Sequence, residues 1–237
     1  MLRKVIRAII RLLFMLLSRV TVGGLENVPD RGGYIVATNH LSRIDPGLVF
    51  MLIEREDVTA LVADKYRHTL FISQLVNALD GIWLHREEAD LHALREALDF
   101  LQKGGVLGVA PEGTRSLSGA LTDGKIVAAY LADKAGARVV PTAVWGTETA
   151  MRQVLRLRRP MVNIQFGSPI ALPPVRRATR ESDLQRNTDE IMCQIAAMLP
   201  PAYRGVYNDH PRLLELTSPI PASEAVPAAQ AEAGPGR

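Results

Sequence analysis

The sequence predicts an α/β fold: a single domain whose mixed, mostly parallel sheet is flanked by helices. Short β-rich runs alternate with helical patterns from about residue 23 to residue 167, as is typical of parallel strands joined by helices. The chain has 237 residues and is 47% hydrophobic, enough for one large core. Polar blocks follow two of the apolar runs, and ligands gather at the carboxyl ends of strands in such sheets.

The predicted strands are apolar, β-branched runs bounded by Gly, Pro, Asn or Asp. In chain order they cover residues 34–38, 58–63, 82–84, 106–109, 139–145 and 161–166. The predicted helices between and after them cover residues 46–53, 70–79, 87–103, 124–135 and 181–198. The third helix has the clearest pattern, because leucines recur at positions 91, 94, 98 and 101 and two glycines follow.

The first 20 residues combine basic and apolar side chains. The apolar run at residues 12–17 is too short for a membrane span, and no small-residue cleavage site follows it. One arc of a helix would carry four basic residues of this segment, Arg3, Lys4, Arg7 and Arg11. We therefore predict a membrane-interface helix over residues 1–20 with its basic side toward the headgroups. The alternative is an ordinary core helix.

The remaining composition limits the class of protein. A net charge of +3 does not indicate nucleic acid binding. A second basic cluster, at Arg152, Arg156, Arg158 and Arg159, suggests anionic lipid headgroups or a phosphorylated substrate, or else a solvated surface. Cys193, the single cysteine, lies in a helical pattern and is expected to be a buried thiol in a reducing compartment. No Cys/His grouping has zinc spacing, so no metal is expected.

Three segments are predicted: the helix at 1–20, a central domain at 21–216 and a disordered tail at 217–237. The tail is predicted because its sequence is rich in Ala and Pro and has few apolar anchors.

The most informative block is residues 39–46, NHLSRIDP, which directly follows the first predicted strand. It places His40 and Asp45 five residues apart. A neutral imidazole can take a proton from a hydroxyl, and a nearby carboxylate can fix its tautomer. The two side chains meet only if the intervening residues form a turn. The alternative is that Asp45 caps the helix that starts at Pro46 and that His40 is a loop residue.

A second polar block, residues 111–116, PEGTRS, also follows a predicted strand. Its Arg115 presents a planar fork suited to phosphate. Glu112 is expected either to orient that fork or to bond a substrate hydroxyl. The alternative is a structural ion pair in a turn.

Together these blocks resemble the glycerolipid acyltransferase family, the lysophosphatidate acyltransferase-like proteins. Residues 39–46 resemble the family's N-H-x-S-x-x-D-P motif, and residues 111–116 match its third block. Residues 81–86, GIWLHR, resemble the second block, and residues 139–144, VVPTAV, the fourth. Departures from the usual pattern are Ala110, His85 and Val127, which affect the expected pocket shape and leave the catalytic groups in place.

The resemblance implies an O-acyltransferase that moves a fatty acyl group from acyl-CoA or acyl-carrier protein to 1-acylglycerol-3-phosphate, giving phosphatidate. It implies that His40 is the general base, that Asp45 orients it, and that backbone N–H groups around the His40 turn bind the oxyanion. The implied acceptor-binding residues are Arg86, Glu112, Gly113, Thr114, Arg115 and Lys125. No cofactor is expected beyond the thioester co-substrate.

The implied location is the cytoplasmic face of a membrane, where the protein is peripheral or monotopic. The alternatives are acylation of glycerol-3-phosphate or another lysophospholipid, and a non-catalytic lipid-binding protein on the same fold. A metal-dependent hydrolase is disfavoured because further ligands at workable spacing are missing.

Overall fold

The computed structural model describes residues 2–85 and 90–218. Its strands are β1 (Arg19–Gly23), β2 (Tyr34–Thr38), β3 (Val58–Ala63), β4 (Ile82–Leu84), β5 (Val106–Val109), β6 (Arg138–Trp145) and β7 (Met161–Phe166). Its helices are α1 (Leu2–Leu17), α2 (Asp45–Leu52), α3 (Leu70–Ala78), α4 (Leu91–Gln102), α5 (Val127–Ala135), α6 (Ala150–Leu155), α7 (Arg180–Met198) and α8 (Pro211–Thr217).

The strands form one sheet in the order β1-β7-β6-β2-β5-β3-β4. Neighbouring strands run parallel except β6 and β7, which are antiparallel. The predicted α/β fold with a mixed, mostly parallel sheet is therefore confirmed. All six predicted strands are present. The edge strand β1 is not among the predicted strands. Only two of its side chains, Val20 and Val22, pack against the core, and both are half-buried, so its apolar pattern is weak.

Helices cover both faces of the sheet, and strand alternation sends side chains to each. From β2, Ile35 and Ala37 join a core cluster with α4, α5 and α7, whereas Tyr34 and Val36 join a cluster with α1 and α2. Burial of apolar side chains on both faces is the main stabilising contribution. It also fixes the positions of the loops that leave the central strands.

Two helices begin three or more residues after their predicted start, α4 at Leu91 and α5 at Val127. α5 begins at Val127 instead of residue 124, because the Lys125 N–H bonds the Pro111 carbonyl at 2.7 Å and the Gly124 N–H bonds the Tyr207 hydroxyl at 3.0 Å. In α4 the fully buried side chains are Ala93, Ala97 and Leu101. The predicted leucine stripe is only partly correct, since residue 91 is 58% exposed. Residues 86–89 lie outside the described part of the chain.

The N-terminal segment is a helix, but it faces the opposite way from the prediction. Arg3 donates to the Val58 carbonyl at 3.0 Å, Arg7 to the Arg55 carbonyl and Arg11 to the Met51 carbonyl. The basic arc therefore packs onto the domain, because its guanidinium groups satisfy carbonyls at the end of α2 and the start of β3. Lys4 and Arg11 remain exposed, but most of the exposed face is apolar: Val5, Ile9, Leu12, Leu13, Met15, Leu16 and Leu17.

The outer limits of the predicted segments also differ. α1 ends at Leu17, and residues 19 and 20 already belong to β1. At the other end, α8 runs to Thr217, and the predicted tail from residue 219 onward lies outside the described residues. None of the helices that the structure describes combines the length and the apolarity needed to cross a membrane.

Candidate active site

The two polar blocks meet because they leave adjacent parallel strands at the same level. β2 pairs with β5 so that Ala37 lies opposite Val109. His40 and Glu112 each follow three residues later. Since the carboxyl ends of parallel strands lie at one edge of a sheet, the two loops form a common surface there.

His40 and Asp45 are in contact, as the sequence predicts. His40 Nδ1 lies 3.1 Å from Asp45 Oδ2. The imidazole is 18% exposed, whereas the carboxylate is fully buried. When Nδ1 carries the imidazole proton, its N–H donates a hydrogen bond to Asp45. Nε2 is then unprotonated and can act as a base. The pair therefore has the arrangement that a general base requires.

The Asp45 carboxylate does not cap its own helix, so the predicted helix cap is wrong. Asp45 is the first residue of α2, and Ile44 occupies the cap position. Asp45 Oδ2 reaches back to accept the N–H groups of Leu41 at 2.7 Å and Ser42 at 2.6 Å. These bonds close the turn between the imidazole and the carboxylate. The start of α2 also places the negative charge at the favourable end of the helix dipole.

The backbone N–H groups of the His40 turn are expected to bind the oxyanion, but in the structure they have other partners. The N–H of His40 donates to Glu112, and those of the next two residues donate to Asp45. Three successive amides of the turn are thus used to build it, and they are not free to bind an oxyanion.

Asn39 anchors the turn to the sheet. Its side chain is fully buried and forms two 2.7 Å hydrogen bonds with Val144, donating to the carbonyl and accepting from the N–H. The amide group therefore imitates one more backbone pairing between β2 and β6, beyond the point where their ladder ends. A rigid residue directly before His40 limits the freedom of the imidazole's backbone.

Glu112 makes a different set of contacts from those expected. Its Oε1 accepts the His40 N–H at 3.0 Å, and its Oε2 accepts both the N–H and the hydroxyl of Thr122 at 2.9 Å. The side chain is 2% exposed, and burial raises its pKa above the ordinary glutamate value. Both oxygens are thus occupied by donors from the protein itself, and neither orients Arg115.

The same loop holds His40 from its other side, since the Ser116 N–H donates to the His40 carbonyl at 2.8 Å. Gly113 allows the turn between these contacts, because its φ of 69° is favourable only for glycine. A Cβ at this position would also lie 3.3 Å from the Lys125 side chain. The block at 111–116 is therefore a clamp around the backbone of His40.

The predicted anion-binding residues lie beside this clamp. Arg115 is half-buried, and its Nε is buried without a hydrogen-bond partner among the described residues. Thr114 and Lys125 are exposed, and Lys125 lies next to Gly113. The predicted Arg86 falls outside the described residues. Within those residues, no group of three or more His, Cys, Asp or Glu side chains is placed to hold a metal ion.

The comparison with protein families agrees with this geometry. The model of the acyltransferase family matches residues 19–145, which is more than half of the chain and includes both loops. The chain belongs to the acyltransferase family. The family resemblance seen in the sequence is thereby confirmed.

Curated relatives of the chain carry the name 1-acyl-sn-glycerol-3-phosphate acyltransferase. Over 163 residues the chain is 30% identical to a 1-acyl-sn-glycerol-3-phosphate acyltransferase of Cocos nucifera, covering 67% of the chain and 52% of the relative. Over 131 residues it is 25% identical to one of Borreliella burgdorferi, covering 54% of the chain and 52% of the relative. The chain spans about half to two thirds of the length of the curated relatives it matches.

A solved structure shares the fold. The 1-acyl-sn-glycerophosphate (LPA) acyltransferase PlsC from Thermotoga maritima superposes with a TM-score of 0.61 at 27% identity. The match covers 80% of this chain and 76% of that one.

Proposed function

We propose that this chain transfers a fatty acyl group from an acyl thioester to the free hydroxyl of 1-acylglycerol-3-phosphate, giving phosphatidate. The observation that carries the proposal is the His40–Asp45 pair, held at 3.1 Å in a turn whose backbone is bonded to Glu112, Asp45 and Ser116. A binding protein has no need of an oriented base. The acceptor is inferred from the names of the relatives.

The pair performs the two proton transfers of the reaction. His40 Nε2 takes the proton from the acceptor hydroxyl as its oxygen attacks the thioester carbonyl carbon. The C–S bond of the tetrahedral intermediate then breaks, and the imidazolium returns the proton to the leaving thiolate. The Asp45 carboxylate stabilises the imidazolium between these steps, since a buried charge pair is weakly screened.

The phosphate of the acceptor is assigned to the cations beside the clamp. Arg115 is the first candidate, because its buried Nε has an unused donor within the described residues and a guanidinium binds phosphate through two parallel hydrogen bonds. Lys125 is the second, since it is exposed and lies next to Gly113. Arg86 keeps this role from the family resemblance alone. Thr114 is exposed in the same loop.

We also propose that the protein acts at the cytoplasmic face of a membrane as a peripheral or monotopic protein. Seven large apolar side chains of α1 are exposed to solvent, which is unfavourable in water and favourable in the acyl region of a lipid layer. Charged replacements on this face, Leu12→Glu with Leu16→Glu, are expected to weaken sedimentation with lipid vesicles strongly. These replacements leave the contacts of Arg3, Arg7 and Arg11 intact. Deletion of residues 1–20 is a less specific test, because it removes those contacts and part of β1 as well. Unchanged sedimentation would contradict this orientation.

The reaction is tested by following the release of free thiol from a thioester donor. Acyl-CoA and acyl-carrier protein are each supplied with 1-acylglycerol-3-phosphate, glycerol-3-phosphate and a lysophospholipid without a terminal phosphate. The proposal predicts acceptor-dependent release of thiol with 1-acylglycerol-3-phosphate. In Arg115→Ala, the KM for this acceptor should rise, so that release falls at subsaturating acceptor. Faster release with glycerol-3-phosphate or the other lysophospholipid would reassign the acceptor. A lack of acceptor-dependent release with both donors would support a non-catalytic lipid-binding protein.

A further inference from the structure

A second apolar and basic surface lies directly after β6. We call it the α6 patch; its apolar members are Met151, Leu155, Leu157 and Met161, and its basic members are Arg152, Arg156 and Arg158. All seven side chains are exposed, and the four apolar ones are exposed by 61%, 78%, 97% and 63%. Isolated exposed apolar residues are ordinary on a protein surface, but four together with three arginines are not.

Leu157 has both a backbone conformation that leucine rarely adopts and an apolar side chain exposed to solvent. It follows α6 with a φ of 54°. Its N–H donates to the Val154 carbonyl at 2.9 Å, and the Arg158 N–H donates to the Gln153 carbonyl at 2.9 Å. This is the Schellman helix ending, in which the left-handed residue is usually glycine. A leucine is strained at this position and is almost fully exposed, so neither the fold nor the core accounts for it.

The α6 patch is continuous with the exposed face of α1. Arg159 donates from Nη2 to the Met15 carbonyl at 2.5 Å and to the Ser18 carbonyl at 2.8 Å. The Arg19 N–H donates to the Pro160 carbonyl at 2.8 Å, and Met161 pairs with Arg19 in the sheet. A groove of about 460 Å³ at this junction is lined mainly by α1, β1 and the end of α2, and Arg159, which directly follows Arg158 of the patch, lines it as well.

We propose that the α6 patch is a second membrane-docking surface, which inserts its leucines and methionines into an anionic lipid layer while its arginines bind the headgroups. Alternation of apolar and basic side chains fits such a layer better than an acidic protein, because exposed leucines gain nothing from a purely charged partner. The carboxyl edge of the sheet carries both this patch and the His40 turn. Two contacts, α1 and the α6 patch, therefore hold the active site at the lipid surface. This inference rests on the proposed function, since the membrane is where the acceptor lies.

The decisive variant is Leu157→Gly in the full chain. Glycine relieves the left-handed strain, so the thermal unfolding midpoint is expected to be no lower than that of the wild type. Affinity for vesicles of phosphatidylcholine and phosphatidylglycerol is expected to fall about 10-fold, since one leucine no longer inserts. A lower unfolding midpoint would show that Leu157 supports the fold, and unchanged affinity would show that it does not insert. Either result overturns the proposal.

Two further variants separate the apolar and charged contributions. The double variant Arg156→Gln with Arg158→Gln is expected to lose about 5-fold in affinity per arginine on the same vesicles and almost nothing on phosphatidylcholine alone. Leu214→Glu on α8 is the matched control, because that leucine is 54% exposed on a helix that packs against α7. Its vesicle affinity should equal that of the wild type, and a comparable loss there would overturn the assignment.

Activity measurements distinguish this proposal from the proposed function. All the patch variants are expected to keep wild-type turnover on a short-chain acceptor dispersed as monomers. If the wild type itself lacks that turnover, the proposed function fails, whatever the vesicle result. If the variants bind vesicles normally but lose turnover only with acyl-carrier protein, the patch binds that acidic donor and the membrane proposal is wrong.

Discussion

Glu112 accepts the backbone N–H of His40 at 3.0 Å, so the acidic residue of the second polar block holds the base instead of the substrate. Its other oxygen is occupied by Thr122. This contact explains how two loops separated by about 70 residues produce one site. These bonds also satisfy the oxygens of a carboxylate whose pKa is raised by burial.

Replacing Glu112 with Gln is therefore expected to damage the position of the base. An amide has one oxygen, and its NH₂ group would face the N–H of either His40 or Thr122. We expect kcat to fall about 10- to 100-fold with KM for the acceptor nearly unchanged, and the free energy of unfolding to fall by about 1–3 kcal/mol. The kinetics of thiol release and chemical denaturation measure the two effects. A higher KM at unchanged kcat would return Glu112 to the acceptor site.

Asp45→Asn tests the orientation of the imidazole. The amide oxygen can keep the bonds to Leu41 and Ser42, so the fold is expected to remain. The negative charge that stabilises the imidazolium is lost, and we expect kcat to fall about 10²- to 10⁴-fold. Circular dichroism checks the fold and thiol release checks the rate. Wild-type turnover by a folded variant would remove Asp45 from the mechanism.

Asp183 is expected to make the stability depend on acid pH. It accepts hydrogen bonds from Arg176 and Thr179, and these hold its pKa below the ordinary aspartate value. Because the folded pKa is lower than the unfolded one, the stabilisation is present above about pH 4 and is lost as the pH falls through the folded value. Asp183→Asn should lower the thermal midpoint most at pH 7 and by a smaller amount near pH 2, where part of the stabilisation is already lost. An equal loss at both pH values would contradict this assignment.

Cys193 is expected to be unreactive in the folded protein. It is fully buried, and burial raises its pKa to about 12, so almost no thiolate is present at neutral pH. A colorimetric thiol reagent should detect no protein thiol until denaturant is added. The protein's own thiol therefore does not contribute to the signal of a thiol-release assay. Rapid labelling of the native protein would show that α7 opens readily.

The sequence predicts those parts of the structure that local patterns determine. Six strands follow from short apolar runs, and the meeting of His40 with Asp45 follows from their spacing in a turn. Contacts between distant residues are not encoded locally. No spacing rule pairs Glu112 with His40 or Asn39 with Val144, because the register of parallel strands brings each pair together.

The orientation of α1 shows the same limit. Helical periodicity separates the basic arc from the apolar one, but it does not say which arc the domain covers. The domain covers the basic arc because carbonyls at the end of α2, in the following loop and at the start of β3 accept hydrogen bonds from Arg3, Arg7 and Arg11. Such acceptors appear only when the fold is assembled.

The central claim is that His40 is the general base, and His40→Ala tests it most directly. His92→Ala is the matched control, because that imidazole is exposed on α4. With saturating donor and 1-acylglycerol-3-phosphate, we predict that thiol release falls about 10²- to 10⁴-fold in His40→Ala and is unchanged in His92→Ala. Equal release by the wild type and the folded His40→Ala variant would contradict the account.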